Sequence, residues 1–370
     1  MNPAPSPSSV LLAGGGSAGH VSPLLALADC LRRRSPDVVV TALGTETGLE
    51  QRLVPARGYP LRTIPKVVFP RRPGGAMLRL PGALAGAVAA AGRVIDEVAA
   101  EVVVGFGGYV STPAYLAARR RGIPIVIHEQ NARAGLANRL GARLTPYVAT
   151  TFASTALPHA TRTGLPLRAE IAQLDRAARR GEALAAFGLE DHRPTLLVTG
   201  GSLGAQRLNT AFAARVDELR KAGVQVLHVT GLGKEFEVTS QVGGPPYVVA
   251  PYADRMELAY AAADLVVSRA GAGMVCELTA VGLPAVYVPL PIGNGEQRFN
   301  AADVVAAGGG VLVDDAALTP EWVEDTLVPT ITDPARLRAM AAAAASVGQR
   351  NADEALADLV QTAAATRGDR

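Results

Sequence analysis

Two stretches decide the fold: Ser9-Val-Leu-Leu-Ala-Gly-Gly-Gly-Ser17 and Pro194-Thr-Leu-Leu-Val-Thr-Gly-Gly-Ser202. Each is a short aliphatic run that ends in a glycine-rich turn. A continuous apolar run suits a parallel strand buried on both faces, and the glycines give the turn that follows it. A second pair repeats the relation. Val102-Val-Val-Gly-Phe-Gly-Gly108 and Gly122-Ile-Pro-Ile-Val-Ile127 are matched by Leu265-Val-Val-Ser-Arg-Ala-Gly271 and Gly282-Leu-Pro-Ala-Val-Tyr287. The chain therefore reads as α/β, with one parallel-sheet unit used twice.

Working outward, strands are expected at Val10–Ala13, Val38–Leu43, Val102–Gly105, Pro124–Ile127 and Val148–Thr151. The second half offers Thr195–Thr199, Val224–Val229, Tyr247–Ala250, Leu265–Ser268 and Ala285–Val288. Ligands of open parallel sheets bind beyond the strand C-termini, so one site is expected in a cleft between the two domains. The domains are set at 1–168 and 169–345, with 346–370 as a helix returning to the first, and the connection falls near Pro166–Arg180. Helix starts are marked by Thr319-Pro320-Glu321, by Asp333-Pro334, and by Asn351 with Glu354 as a capping box.

Composition agrees with two folded domains. The chain has 370 residues, 49% of them hydrophobic, and 36 Lys+Arg against 33 Asp+Glu leave a net charge of only +3. That combination excludes disorder as the main state. Cys30 and Cys276 stand far apart, which argues against a disulfide framework and fits a reducing compartment. The first 28 residues carry no Lys or Arg, so no secretory n-region is expected. The charge-free run Leu278–Gly295 is broken by Gly282, Pro284, Pro289, Pro291 and Gly293, so it is not expected to span a membrane. A soluble or peripheral intracellular protein is the expectation.

Four glycine clusters could carry chemistry. Gly14-Gly15-Gly16-Ser17-Ala18-Gly19-His20 satisfies a dinucleotide fingerprint, and Glu46 could serve a ribose, so an NAD-dependent oxidoreductase stays open at this point. Gly200-Gly201-Ser202-Leu203-Gly204-Ala205 repeats the design, and neither loop is a Walker A. Such loops offer backbone N–H groups to an anion. The third cluster is Gly105-Phe106-Gly107-Gly108-Tyr109. The fourth, Gly271-Ala272-Gly273-Met274, places Glu277 early in a helix, where its carboxylate can take two vicinal hydroxyls or serve its own helix dipole. His128-Glu129-Gln130-Asn131 follows a buried-looking strand as a site-lining loop. His20 directly follows the first loop, and an imidazole suits base catalysis near neutrality. His159, His192 and His228 have no such context and read as structural. Scattered histidines and no Asp-x-Asp predict no metal site, so backbone dipoles would have to stabilise a leaving diphosphate.

Between Gln51 and Ile95 there is no Asp or Glu, yet Arg52, Arg57, Arg62, Lys66, Arg71, Arg72, Arg79 and Arg93 are all present. Val67, Val68, Phe69, Met77, Leu78, Leu80 and Leu84 lie among them. Basic plus apolar side chains suit an anionic membrane surface. Nucleic acid is not expected, since aromatic stacking residues are nearly absent here.

In order, Gly15-Gly-Ser-Ala-Gly-His20, Gly107-Gly-Tyr-Val-Ser111, His128-Glu-Gln-Asn131, Gly200-Gly-Ser-Leu-Gly-Ala205, Ser268-Arg-Ala-Gly-Ala-Gly273 with Glu277, and Gly295-Glu-Gln-Arg-Phe-Asn300 resemble the MurG family. The resemblance implies the GT-B glycosyltransferase architecture, two Rossmann-like domains facing a central cleft, and no cofactor. It implies transfer of N-acetylglucosamine from UDP-GlcNAc to lipid I, the undecaprenyl-pyrophosphoryl-muramoyl-pentapeptide, to give lipid II in peptidoglycan synthesis. It implies a peripheral place on the cytoplasmic side of the cell membrane, within a cell-wall synthesis complex. On the donor side it implies Ser202 and the Ala272, Gly273 and Met274 backbone at the diphosphate, and Glu277 at the ribose. Ala253 with Tyr252 would border the uracil, Glu296 and Gln297 the sugar, and Arg168 would complete the donor side. From the first domain Ser17, Ala18, Gly19 and Asn131 would face the transferred sugar, and the acceptor diphosphate would meet the first-domain glycine loops. His20 is the expected base, with Glu129 second. Ala18, Leu165 and Met274 depart from the usual Gly, Asn and Thr. A GT-B enzyme with another lipid or natural-product acceptor is the nearest rival, and a non-catalytic sugar-nucleotide or lipid-binding module the next.

Overall fold

The structure, a computed structural model, describes residues 6–67, 75–201, 205–291 and 295–366. It divides into two units, residues 1–168 with 351–370, and residues 169–350.

The first unit carries seven parallel strands: β1 (Ser9–Ala13), β2 (Val39–Gly44), β3 (Leu61–Thr63), β4 (Val102–Gly105), β5 (Ile125–Glu129), β6 (Tyr147–Thr150) and β7 (Ala160–Arg162). Their order is β3-β2-β1-β4-β5-β6-β7. β1 is central, with Val10 between Val40 and Val102, and Leu12 between Ala42 and Val104. Side chains alternate across a strand, and both faces are covered. Val10 and Leu12 pack with Leu24, Leu27 and Leu31 of α1 (Ala18–Arg34) and with Leu356 and Val360 of the C-terminal Ala352–Ala365 helix. Leu11 and Ala13 face the other layer, Val88, Ala91 and Ile95 of a helix at Gly75–Glu97 and Ala114 and Ala117 of one at Ser111–Arg120. Double burial is why the run has no polar residue: truncating a core leucine costs about 2–5 kcal/mol.

The second unit repeats the plan with β8 (Thr195–Thr199), β9 (Gln225–Val229), β10 (Tyr247–Ala250), β11 (Leu265–Ser268), β12 (Ala285–Tyr287) and β13 (Gly310–Leu312), ordered β10-β9-β8-β11-β12-β13. In both sheets the winding reverses at the first strand, between β1 and β4 and between β8 and β11. The loops leaving those strands part there and open a crevice, the usual ligand position in such sheets. The four glycine clusters follow these four strands.

All ten expected strands are present. Three more, β3, β7 and β13, are three-residue strands too short to stand out in the sequence; β3 and β7 are the two edges of the first sheet, β13 is an edge of the second, and β7 is exposed throughout. The Thr319 and Asp333 caps form: Thr319 Oγ1 accepts from the Trp322 amide at 3.2 Å, and Asp333 Oδ1 accepts from the Ala335 and Arg336 amides at 3.0 Å. The Asn351 box does not. Its side chain makes no cap bond, and Glu354 reaches Arg33 of α1 at 2.9 Å beside an Arg33–Asp353 pair at 2.7 Å. The Arg33 and Arg34 guanidinium groups, both paired with Glu354, outcompete one backbone amide for that carboxylate. Cys30 lies with Asp353 and Glu354 in a cluster of metal-ligand type, but burial and the two carboxylates push its thiol up to about 12, which keeps the proton on. Among the described residues no helix is long and apolar enough to cross a membrane.

Candidate active site

The first glycine loop is built around a residue the sequence did not single out. Glu50 opens a short helix, Glu50–Ala56, and its carboxylate is buried under the loop. One oxygen accepts from the Gly16 amide at 2.8 Å, and the other accepts from the Thr45 amide and hydroxyl, both at 2.9 Å. These bonds hold the carboxyl below its usual range against the opposing effect of burial. The Gly16 amide, expected to meet a diphosphate, is thus already filled by an internal anion. Glu46, the acid expected for a ribose, is exposed.

The same turn places His20. Ser17 precedes α1 without capping it; its hydroxyl lies 3.1 Å from His20 Nδ1. The Gly15 carbonyl lies 3.1 Å from the same nitrogen. A carbonyl only accepts, so Nδ1 carries the proton and Nε2 is the basic nitrogen of the neutral ring. Burial lowers the imidazole pKa, while the Gly15 carbonyl and the Glu50 charge act to raise it. Ala18 and Gly19 form the first turn of α1 beside it.

The loop after β4 closes on this turn through glycines. Gly107 and Gly108 have φ of +88° and +81°. A Cβ at Gly107 would come 3.3 Å from His20 Nε2, and one at Gly108 would come 2.8 Å from the Gly15 carbonyl. Ser111 Oγ ties the two loops together, donating to the Gly107 carbonyl at 2.7 Å and lying 3.1 Å from the Ala13 carbonyl.

His128 and Glu129 are the last residues of β5 rather than loop residues, and both are buried, as is Gln130. The strand is two residues longer than its apolar run because these polar groups find partners inside. His128 Nε2 donates to the Gly164 carbonyl at 2.8 Å and burial pushes the ring down to about 4, so it stays neutral. Glu129 accepts from the Asn131 amide at 2.9 Å, the Gly135 amide at 3.0 Å and Asn138 Nδ2 at 2.9 Å. Asn138 in turn accepts from the Tyr115 hydroxyl at 2.7 Å. Burial nonetheless raises the Glu129 pKa. These bonds give Glu129 the work of shaping the 131–135 loop, with Asn131 held on it. Leu165 is buried, and Arg168 lies half-buried at the end of this unit.

In the second unit the Ala272–Ala280 helix begins at Gly271 with no side-chain cap. Its first-turn amides, those of Ala272, Gly273 and Met274, point along the helix axis and suit a phosphate. Glu277 sits one turn on, where Tyr260 donates its hydroxyl to Oε2 at 2.6 Å. The Met274 sulfur lies 3.5 Å from the same hydroxyl, so the thioether packs where a Thr would have offered a donor. Tyr260 belongs to the Met256–Ala262 helix, which follows the Tyr252–Ala253 turn; Tyr252 is half exposed and Ala253 buried. Nothing in the sequence marked Tyr260 as more than core.

Before this helix, Arg269 binds Asp315 at 2.5 Å and the Val288 carbonyl at 3.2 Å, anchoring the loop after β11. Gly295, with φ of +74°, opens the Glu296–Asn300 helix, and Gln297 Oε1 accepts from the Leu290 amide at 2.9 Å. An open cavity of about 470 Å³ lies beside it, lined by Pro289, Leu290, Phe299 and Asp315 among others. Glu296 is half-buried on the same helix. Ser202, with Leu203 and Gly204, lies outside the described residues, as do Val68, Phe69, Arg71 and Arg72 of the basic stretch. Within that stretch Val67 is core, Arg57 pairs with Asp29 at 2.8 Å and Arg62 with Glu97 at 2.7 Å, while Arg52, Arg79 and Arg93 are exposed.

Known proteins share this arrangement. The chain is 56% identical over 359 residues to the UDP-N-acetylglucosamine–N-acetylmuramyl-(pentapeptide) pyrophosphoryl-undecaprenol N-acetylglucosamine transferase of Streptomyces avermitilis, covering 97% of this chain and 99% of that one. It is 59% identical over 353 residues to the enzyme of the same name from a Nocardioides species, covering 95% and 97%. The crystal structure of Acinetobacter baumannii MurG superposes with a TM-score of 0.76 at 30% identity, over 97% of this chain and 100% of that one. Two parallel-sheet domains with glycine loops at both switch points define a GT-B glycosyltransferase. The glycosyltransferase family 28 N-terminal domain matches residues 10–150 and its C-terminal domain matches residues 195–359. Within that class the chain belongs to the MurG family.

Proposed function

We propose that the chain transfers N-acetylglucosamine from UDP-GlcNAc to the muramoyl C4 hydroxyl of lipid I, giving lipid II and UDP. Full-length relatives above 55% identity that bear this activity in their names support the reaction. The observation that carries the chemistry is His20 with Nδ1 bound to the Gly15 carbonyl. Nε2 of the neutral ring takes the C4 hydroxyl proton as the oxygen attacks the anomeric carbon. The C1–O bond to the diphosphate breaks, the configuration inverts from α to β, and the pair of electrons leaves on UDP. The amide end of the Ala272–Ala280 helix stabilises the charge that develops there. Glu277 holds the ribose hydroxyls through the carboxylate oriented by Tyr260. Ala253 borders the base, Glu296 and Gln297 read the sugar, and Arg168 and Ser202 complete the donor side.

Glu129 is the weaker candidate for the base, because amide donors bind both its oxygens. The reading includes a peripheral position on the cytoplasmic face of the cell membrane, among other wall-synthesis proteins. Exposed Arg52, Arg79 and Arg93 support the membrane part of it. The test is UDP release with and without a lipid I analogue, in EDTA. Release that depends on the analogue and survives EDTA is expected. Saturable UDP-GlcNAc binding without release would return the acceptor to the unknowns.

A further inference from the structure

Glu50 is placed with unusual care for a residue outside every recognised motif. Its carboxylate occupies a space that exists only because three residues lack a Cβ: a methyl at Gly15, Gly44 or Gly48 would collide with the Glu50 side chain. Those glycines come from the loop after β1, the end of β2 and the segment leading into Glu50's own helix. Three donors from two segments converge on its two oxygens. A buried carboxylate so fully satisfied fixes whatever it binds. What it binds is Gly16, the residue next to the carbonyl that orients His20.

We propose that Glu50 is a positioning residue for His20: by holding the Gly16 amide it sets the Gly15 carbonyl to receive the Nδ1 proton, leaving Nε2 as the proton acceptor. This rests on the reading of His20 as the base. A side effect follows for ligands. A carboxylate at the Gly16 amide repels a phosphate at that one amide and leaves the first-turn amides of α1 as the anion donors of this loop.

The charge matters as well as the geometry. Of the groups around His20, Ser17, Gly107 and Gly108 are uncharged, and the neighbour from the Leu136–Gly141 helix is the Asn138 amide, itself bound to Glu129. Glu50 is the charge that acts on the ring and raises its proton affinity. Losing it moves the ring's titration to lower pH.

The experiment uses the full chain labelled with ¹⁵N-histidine, with the His20 imidazole assigned by its loss in His20→Gln. Two variants disturb Glu50 differently. Glu50→Gln removes the charge and one acceptor. Gly48→Ala leaves the carboxylate but its methyl collides with it. In the parent, the His20 ring is expected with the proton on Nδ1. In Glu50→Gln the titration moves to lower pH, the Nε2–H form appears, and the acid limb of the kcat/KM profile for UDP-GlcNAc follows. The kcat falls about tenfold or more, within what a general base contributes, while the KM for UDP-GlcNAc changes less than about twofold. Gly48→Ala shifts the tautomer in the same sense. An unchanged His20 titration and tautomer in both variants would overturn the proposal. A ring that responds to Glu50→Gln while His20→Ala keeps full kcat would support the positioning and sink the base assignment instead.

Discussion

The Tyr260 hydroxyl donates to Glu277 Oε2 at 2.6 Å from a ring that is fully buried. A hydrogen bond to a carboxylate is worth about 1.5–3 kcal/mol when the group is held away from water, and part of it is spent orienting the acceptor. Tyr260→Phe keeps the packing and removes the bond. The KM for UDP-GlcNAc is expected to rise about three- to tenfold, or roughly 0.7–1.4 kcal/mol, with kcat nearly unchanged. Isothermal titration with UDP gives the same ratio without turnover. Unaltered UDP affinity would show that Glu277 does not hold the nucleotide.

His20→Ala and Glu129→Gln separate the two candidate bases. Removing His20 is expected to lower kcat by more than tenfold, at least about 1.4 kcal/mol of barrier, with little change in Tm. Glu129→Gln offers an NH₂ to a site that needs two acceptors, because Asn131 and Gly135 amides and Asn138 Nδ2 all donate to it. Its main effect is on folding, a loss of about 1–3 kcal/mol seen as a lower Tm. The assignment is reversed if Glu129→Gln abolishes turnover at an unchanged Tm and His20→Ala does not.

Two buried histidines make the fold sensitive to acid. His128 is pushed down to about 4 and His228 to about 3, both by burial. His228 is held between the Tyr247 hydroxyl at 2.9 Å and Asn209 at 3.0 Å. A histidine whose folded pKa is depressed binds its proton more readily in the unfolded chain. Its contribution is therefore intact above an unfolded value of about 6.5 and is lost as pH falls from there toward the folded value. Each ring removes up to about 1.4 kcal/mol per pH unit in that window. Chemical denaturation at pH 7 and pH 5 is expected to show lower stability at pH 5. His128→Gln should flatten the dependence of the first unit alone, since His228 lies in the second. A stability that does not fall between pH 7 and pH 5 would contradict both shifts.

How much of this was legible depended on whether the information was local. The ten expected strands announce themselves because each is built on a short run of mostly apolar, largely buried residues. β7 could not be seen, since all three of its residues are exposed and only its pairing with β6 makes it a strand. The glycine loops were readable as loops, but what fills them was not. Glu50 is 34 residues from Gly16, and no periodicity separates it from Glu46, which is exposed. Tyr260 looked like any aromatic on an apolar helix until the chain brought Glu277 to its hydroxyl. Glu354 shows the opposite failure. A correct local rule, the capping box, lost to Arg33, a partner 321 residues away.

The basic stretch yields the last prediction. Arg57 and Arg62 are paired with Asp29 and Glu97, so the local excess of eight basic residues overstates what a membrane would meet. Arg79 is exposed on the Gly75–Glu97 helix, and Arg71 and Arg72 precede that helix in the chain. Near an anionic bilayer each basic residue contributes about 1 kcal/mol, so changing all three to Glu removes about 3 kcal/mol of attraction and adds repulsion. Flotation with vesicles of mixed anionic and neutral lipid is expected to drop by more than tenfold for the triple variant. Raising the salt should weaken the parent in the same way, because the attraction is screened within a Debye length of about 10 Å at 0.1 M. UDP release with a soluble lipid I analogue should stay at the parent level, since none of the three belongs to the catalytic or donor-binding groups. Flotation that survives both the substitutions and the salt would mean that apolar insertion, not charge, holds the protein to the lipid.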